Sequence, residues 1–201
     1  MSECQLEVDR ASFASRMKAV FQTWLHHPAS VASVCPSSSV LTEQIADRES
    51  VRQASLVVDL GPATGETSVA LLKHMKSNGK LLAVEKMLEF IAPLSEIQDD
   101  RLIVHHGDAG DLGSILRTHA LGRPDVIVSG VPFSTMDEAS GRRIVAAVHE
   151  HLRDGGRFLA YQVRDEVAQL ATPLFGSPMV EKVHLNVPPL TIYTWTKSST
   201  G

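Results

Sequence analysis

The feature that most restricts the fold is a rhythm of short apolar runs. They recur as SLVVDL (55–60), LLAVE (81–85), RLIVHH (101–106), DVIVS (125–129) and GRFLAYQV (156–163). Stretches of helical character lie between them, including Thr64 to Ser77, Met87 to Ile97 and Asp137 to Leu152. Parallel strands are buried on both faces and need a crossover between them, so this alternation describes βαβ units in a parallel sheet. Pro93 falls inside the second spacer and shortens or bends it. The rhythm then breaks. A helix over Arg164 to Leu174 precedes MVEKVHLN (179–186), and only VPP separates that run from LTIYTWTK (190–197). No crossover helix fits there, so the last two strands pair as an antiparallel hairpin.

Residues 1–54, ahead of the sheet, read as two helices. Phe13, Met17, Val20, Phe21 and Trp24 share one helical face. A second helix follows CPSSS (35–39), where a serine caps it and Val40, Leu41 and Ile45 turn inward. With 201 residues, 43% of them hydrophobic, the expectation is one domain over 1–201. Its parts are a helical lid over 1–54 and a core over 55–197. Lys plus Arg number 19 and Asp plus Glu 23, for a net charge of −4, a balance that counts against a nucleic-acid partner. Cys4 and Cys35 fit no metal or redox spacing, and the opening MSECQLEVDR is too polar for a secretory signal. No apolar run approaches the ~20 residues needed to span a bilayer. These points together describe a cytoplasmic chain.

The strongest local signal is VVDLGPATGETS (57–68), a buried strand that ends in Asp59 and turns through Gly61, Pro62, Ala63, Thr64 and Gly65 into a helix. Glycine at such points permits unusual backbone angles and close approach of a ligand. Ala63 occupies a central position that is often glycine. Glu85, which ends the next strand and precedes Lys86, is placed to take both ribose hydroxyls of a nucleoside. HHGDA (105–109) ends the third strand, where Asp108, beside Ala109, is placed to accept from an adenine amino group. Ser129 ends the fourth, and Lys86, Ala109 and Ser129 are expected to join Asp59, Gly61 to Gly65, Glu85 and Asp108 in binding the ligand. Acids in the first loop repel a pyrophosphate and favour a ligand bearing an ammonium group, which points to S-adenosylmethionine.

The DLGPATG loop, Glu85, GDA and the terminal hairpin resemble class I S-adenosylmethionine-dependent methyltransferases over residues 55–197. The resemblance implies an α/β fold: a Rossmann-like, seven-stranded methyltransferase sheet of five parallel βα units plus the antiparallel hairpin, with an N-terminal helical lid. More narrowly, FQTWLHHPASVASVCPSSSVLTEQIA (21–46), SGVPF (129–133) and NVPP (186–189) resemble bacterial phospholipid N-methyltransferases of the rhizobial type. Ribosomal RNA adenine dimethyltransferases share much of the framework.

The acceptor implied by the narrower resemblance is the amine of phosphatidylethanolamine or its methylated derivatives. Adenine-amino methyltransferases carry an asparagine in the loop after the fourth strand, and here that loop is Ser129-Gly130-Val131-Pro132-Phe133. Phe133 is placed to stack on a substrate, but the asparagine is absent. Between Asp9 and Glu43 the chain has no acid, while Arg10, Arg16 and Lys18 add positive charge beside the Phe13–Trp24 face. That face either rests on anionic lipid as a peripheral contact or packs onto the core as a lid. Tyr161 and Ser129 are the candidate catalytic residues, and Tyr161 either faces the acceptor amine or fills the core. Trp24, Ser37, Ser38, Pro132, Phe133 and Asn186 are the candidate lid and acceptor residues. His105 and His106 point to opposite faces of a strand, which argues against a shared metal. Three rivals share this framework: a soluble small-molecule acceptor, RNA adenine, and transfer of the aminocarboxypropyl arm instead of the methyl group.

Overall fold

The structure, a computed structural model, describes residues 39–183 and 189–198. Its centre is a seven-stranded sheet: β1 (Leu56–Leu60), β2 (Lys80–Glu85), β3 (Leu102–His106), β4 (Val126–Ser129), β5 (Arg157–Gln162), β6 (Met179–Val183) and β7 (Leu190–Thr196). The strands lie in the order β3-β2-β1-β4-β5-β7-β6. β1 to β5 are parallel throughout, and β7 pairs antiparallel with both β5 and β6. The hairpin is therefore present, with its second strand inserted between β5 and its first. Strand order reverses direction between β1 and β4, and a crevice opens above the carboxyl ends of the strands at such a switch point.

The helices follow the sequence pattern: α1 (Ser39–Ala46), α2 (Glu49–Gln53), α3 (Glu66–His74), α4 (Ile91–Ser95), α5 (Leu112–Thr118), α6 (Glu138–His151) and α7 (Glu166–Phe175). Pro93 sits in the first turn of α4, where a missing N–H is tolerated, and a separate 3-10 turn over Leu88–Phe90 precedes it. Asp137 starts α6 by accepting from the Ser140 N–H at 2.8 Å. Leu71 and Leu72 of α3, with Leu41 and Ile45 of α1, pack on one sheet face against Val57, Leu81, Val128 and Leu159. On the other face, Ile115 of α5, Val145 and Val148 of α6 and Val167 of α7 cover Val58, Leu82, Ile127 and Phe158. Trp195 of β7 closes that second layer. Its ring stacks on Phe158 at 5.2 Å, and its Nε1–H donates to Gly176 O at 3.1 Å.

Two local expectations change. Val40 is exposed while Leu41 and Ile45 are buried, because Leu41 and Ile45 lie one turn apart and Val40 is rotated away from both, by about 100° from Leu41 and about 140° from Ile45. α1 is also followed by the extra helix α2. Between the two, the Arg48 guanidinium bonds both carboxylate oxygens of Glu181 on β6, at 2.5 and 3.2 Å, tying the N-terminal helices to the hairpin. The Phe13–Trp24 face, Ser37, Ser38 and Asn186 lie outside the described residues.

Candidate active site

The loop after β1 is bent by three residues with left-handed backbone: Gly61 at φ +67, Ala63 at φ +49 and Gly65 at φ +95. A Cβ on Gly61 would lie 3.2 Å from Val131 Cγ2, and one on Gly65 would lie 2.8 Å from Ile97 Cδ1. Those two glycines are therefore needed for both angle and space. Ala63 is not glycine and carries a left-handed penalty of ~1–2 kcal/mol. Its N–H donates to Glu85 Oε2 at 3.0 Å, which holds the conformation in place. The sequence shows Ala63 only as a tighter residue in the loop, since its backbone angle leaves no mark there.

Three acids stand at the carboxyl ends of β1 and β2 and just beyond β3, on adjacent strands. Asp59 is fully buried. Ser68 Oγ–H on α3 donates to its Oδ2 at 2.8 Å, while Oδ1 has no partner. Burial in apolar surroundings pushes its carboxyl up to about 7, against the lowering effect of the Ser68 bond, and the neighbouring Glu85 adds to the rise. Glu85 accepts from the Met87 N–H at 2.8 Å as well as from Ala63, yet burial still holds it above the ordinary carboxylate range. Asp108 accepts from the Gly110 N–H at 2.8 Å and pairs with Lys86 Nζ at 2.9 Å and Arg143 at 2.7 Å. Burial alone would raise Asp108, but the contacts with Lys86, Gly110 and Arg143 prevail and hold it below the ordinary range.

These carboxylates fit a ligand that presents donors and positive charge. A buried carboxylate oxygen without a donor costs free energy, so Asp59 Oδ1 calls for an incoming N–H. Carboxylate oxygens accept at more than one lone pair, so Glu85 retains capacity beside its two backbone donors. An ammonium, a pair of ribose hydroxyls and an exocyclic amine are the donors that S-adenosylmethionine offers. Phosphates would meet three acids.

The loop after β4 forms the opposite wall. Ser129 is fully buried and its Oγ accepts from the Val131 N–H at 3.3 Å, which helps to set the turn of the loop. The Gly130 N–H donates to Leu60 O at 2.9 Å, joining this loop to the first. Residues Tyr161 and Gln162, at the end of β5, grip the same loop from opposite faces. A Cβ on Gly130 would lie 2.3 Å from Tyr161 Oη, and Gln162 Nε2–H donates to Val131 O at 2.7 Å. Tyr161 Oη also lies 3.2 Å from Thr67 Oγ1 on α3. The Phe133 ring is buried in the core layer shared with residues of α6 and α7, where it supports the loop from within. Pro132 remains partly exposed at the wall. His105 and His106 diverge as the strand pleat requires, His105 Nδ1 lying 3.0 Å from His119 Nε2 and His106 Nε2 3.1 Å from Lys86 O.

Ser68, Gln162 and Arg143 are the residues that sequence reading missed. Ser68 stands inside the recognised loop motif and nothing but geometry marks it. The other two reach the site from strands and helices far along the chain.

No protein-family model matches the chain. Curated relatives do. An ornithine lipid N-methyltransferase of Singulisphaera acidiphila is 27% identical over 134 residues, 66% of this chain and 70% of the relative. Ribosomal RNA large subunit methyltransferase E of Treponema denticola is 33% identical over 113 residues, 51% of this chain and 54% of that relative. Among solved structures, a 1,6-didemethyltoxoflavin-N1-methyltransferase of Burkholderia thailandensis, with 1,6-didemethyltoxoflavin and S-adenosylhomocysteine bound, superposes with a TM-score of 0.64. It is 16% identical, and the match covers 94% of this chain and 90% of that one, a likeness of fold. These relatives, with unlike substrates, are all methyltransferases, the chain shares its sheet with the solved structure, and together they indicate an S-adenosylmethionine-dependent methyltransferase.

Proposed function

We propose that the chain is an N-methyltransferase whose acceptor is the amine of a membrane lipid, phosphatidylethanolamine or its methylated derivatives. The observation that carries this reading is the ornithine lipid N-methyltransferase relative, whose match spans two thirds of both chains. The resemblance of residues 21–46 to rhizobial-type phospholipid N-methyltransferases supports it. Among the described residues no helix is long and apolar enough to cross a membrane, and in this reading residues 1–54 serve either as a lid over the acceptor or as a contact with the lipid surface.

When bound, S-adenosylmethionine supplies a methyl group made electrophilic by a positively charged sulfur. In this reading Asp59 takes the ammonium end on its unpartnered oxygen, Glu85 takes the ribose hydroxyls, and Asp108, beside Ala109, accepts from the adenine amino group. Gly61 to Gly65 let the main chain approach closely. The loop from Ser129 to Phe133, held by Gln162 and Tyr161, presents backbone to the acceptor amine and excludes water from it. Orientation and desolvation of a neutral amine carry the rate, and no general base is assigned.

The ribosomal RNA relative favours RNA as a second acceptor; the form of it weighed from the sequence is an adenine amino group. The loop after β4 argues against it, since the asparagine is missing and Phe133 is buried where a base would need a stacking surface. The test offers methyl-labelled S-adenosylmethionine to phosphatidylethanolamine vesicles, total RNA and a metabolite extract in separate tubes. Label in the vesicle lipid, with S-adenosylhomocysteine formed, is the expected result. Label confined to RNA or to the aqueous extract would overturn the lipid acceptor. Methylthioadenosine that keeps the label would mean that the aminocarboxypropyl arm is the group transferred.

A further inference from the structure

Asp108 is held very unequally at its two oxygens. Oδ1 receives the Gly110 N–H at 2.8 Å and Arg143 Nη2–H at 2.7 Å. Arg143 comes from α6, and its guanidinium lies so close to Gly110 that a Cβ there would sit 2.5 Å from Nε. A further bond to Asp111 Oδ1 at 3.2 Å anchors the other end of the guanidinium. One backbone donor and one doubly anchored arginine thus fix Oδ1 from behind. Oδ2 is met by Lys86 Nζ at 2.9 Å. The Lys86 side chain is 77% exposed, against 23% for Asp108. A long, solvated ammonium of that kind is released at small cost.

We propose that Arg143 is a positioning residue that aims Asp108 at the adenine amino group, and that Lys86 is a placeholder on Oδ2 which the ligand displaces. The inference rests on the reading that Asp108 accepts from adenine. It assigns a role to a residue 35 positions away in sequence. It also reverses the role expected of Lys86: a residue that vacates the site on binding, and adds nothing to the affinity. Arg143 keeps Asp108 ionised and oriented, so Oδ2 accepts from an N–H and repels a carbonyl oxygen. The base selectivity of the site is then set from α6.

The test needs no acceptor. The full chain is titrated calorimetrically with S-adenosylhomocysteine and with S-inosylhomocysteine, in which a carbonyl oxygen replaces the adenine amino group. Wild-type protein is expected to prefer the adenine form by about tenfold or more, the worth of one hydrogen bond to a charged group. Arg143→Ala is expected to cut that preference to about threefold or less, with Arg143→Lys recovering part of it, since lysine restores the charge without the fork. Lys86→Ala is expected to bind S-adenosylhomocysteine at least as tightly as wild type, with a shallower salt dependence. Equal weakening of both ligands in Arg143→Ala, with the preference intact, would make Arg143 merely structural and overturn its role. A tenfold loss of affinity in Lys86→Ala would overturn the placeholder. Asp108→Ala separates the levels: if it keeps the wild-type preference, the reading of Asp108 itself fails, whereas loss of preference there but not in Arg143→Ala sinks this inference alone. Thermal melts of each variant within a few degrees of wild type show that the fold is retained.

Discussion

At the residue scale the site contains individually unfavourable choices. Ala63 in the left-handed region is one. Ala63→Gly should stabilise the free protein by up to about 1 kcal/mol, the left-handed penalty less the extra chain entropy of glycine. A melting temperature that falls would show that the methyl group packs usefully. Asp59 is a second. Its folded value of about 7 lies above the ordinary carboxyl value of 3.8, so between those values the folded chain holds a proton that the unfolded chain has lost. The sign follows: this residue's contribution is best below about pH 4, declines as pH rises toward 7, and stays low above that. Asp59→Asn, uncharged throughout, should therefore be more stable than wild type at pH 8, with the gap closing toward pH 4. The same variant should bind S-adenosylhomocysteine more weakly, since stability gained at a binding group is commonly lost from function. A stability gap that widens on acidification would contradict the assignment.

At the element scale the hairpin and the loops behave as units. Trp195 stacks between Phe158 and Tyr193, at 5.2 and 5.9 Å, and fixes β7 against β5. Trp195→Ala should cost about 3–5 kcal/mol by chemical denaturation, the usual range for removing a large buried aromatic. A loss under 1 kcal/mol would mean that the hairpin is a dispensable edge. Much of this level was legible beforehand. The five βα units, the short piece around Pro93 and the final hairpin follow from period, run length and the three-residue gap. The insertion of β7 between β5 and β6 was not, because strand order depends on which edges remain open after folding. Val40 was misplaced because a short helix offers too few turns to define its inner face. The burial of Phe133 was not legible, because an aromatic after a strand looks the same whether it faces a ligand or the core.

At the scale of the whole molecule, the switch between β1 and β4 gathers acids that are far apart in sequence at one sheet edge. Asp59, Glu85 and Asp108 could be anticipated because each sits at or just beyond the end of an apolar run. Arg143 and Gln162 could not, since neither stands in a motif and each reaches the site only through tertiary packing. The account turns on whether the cofactor lies across those three strand ends. Amide hydrogen exchange with and without S-adenosylhomocysteine tests this most directly. New protection should concentrate on Gly61 to Gly65, Lys86 and Met87, and Ala109 and Gly110, with β6 and α7 unchanged. Protection elsewhere, with those loops unchanged in the presence of bound ligand, would contradict the account.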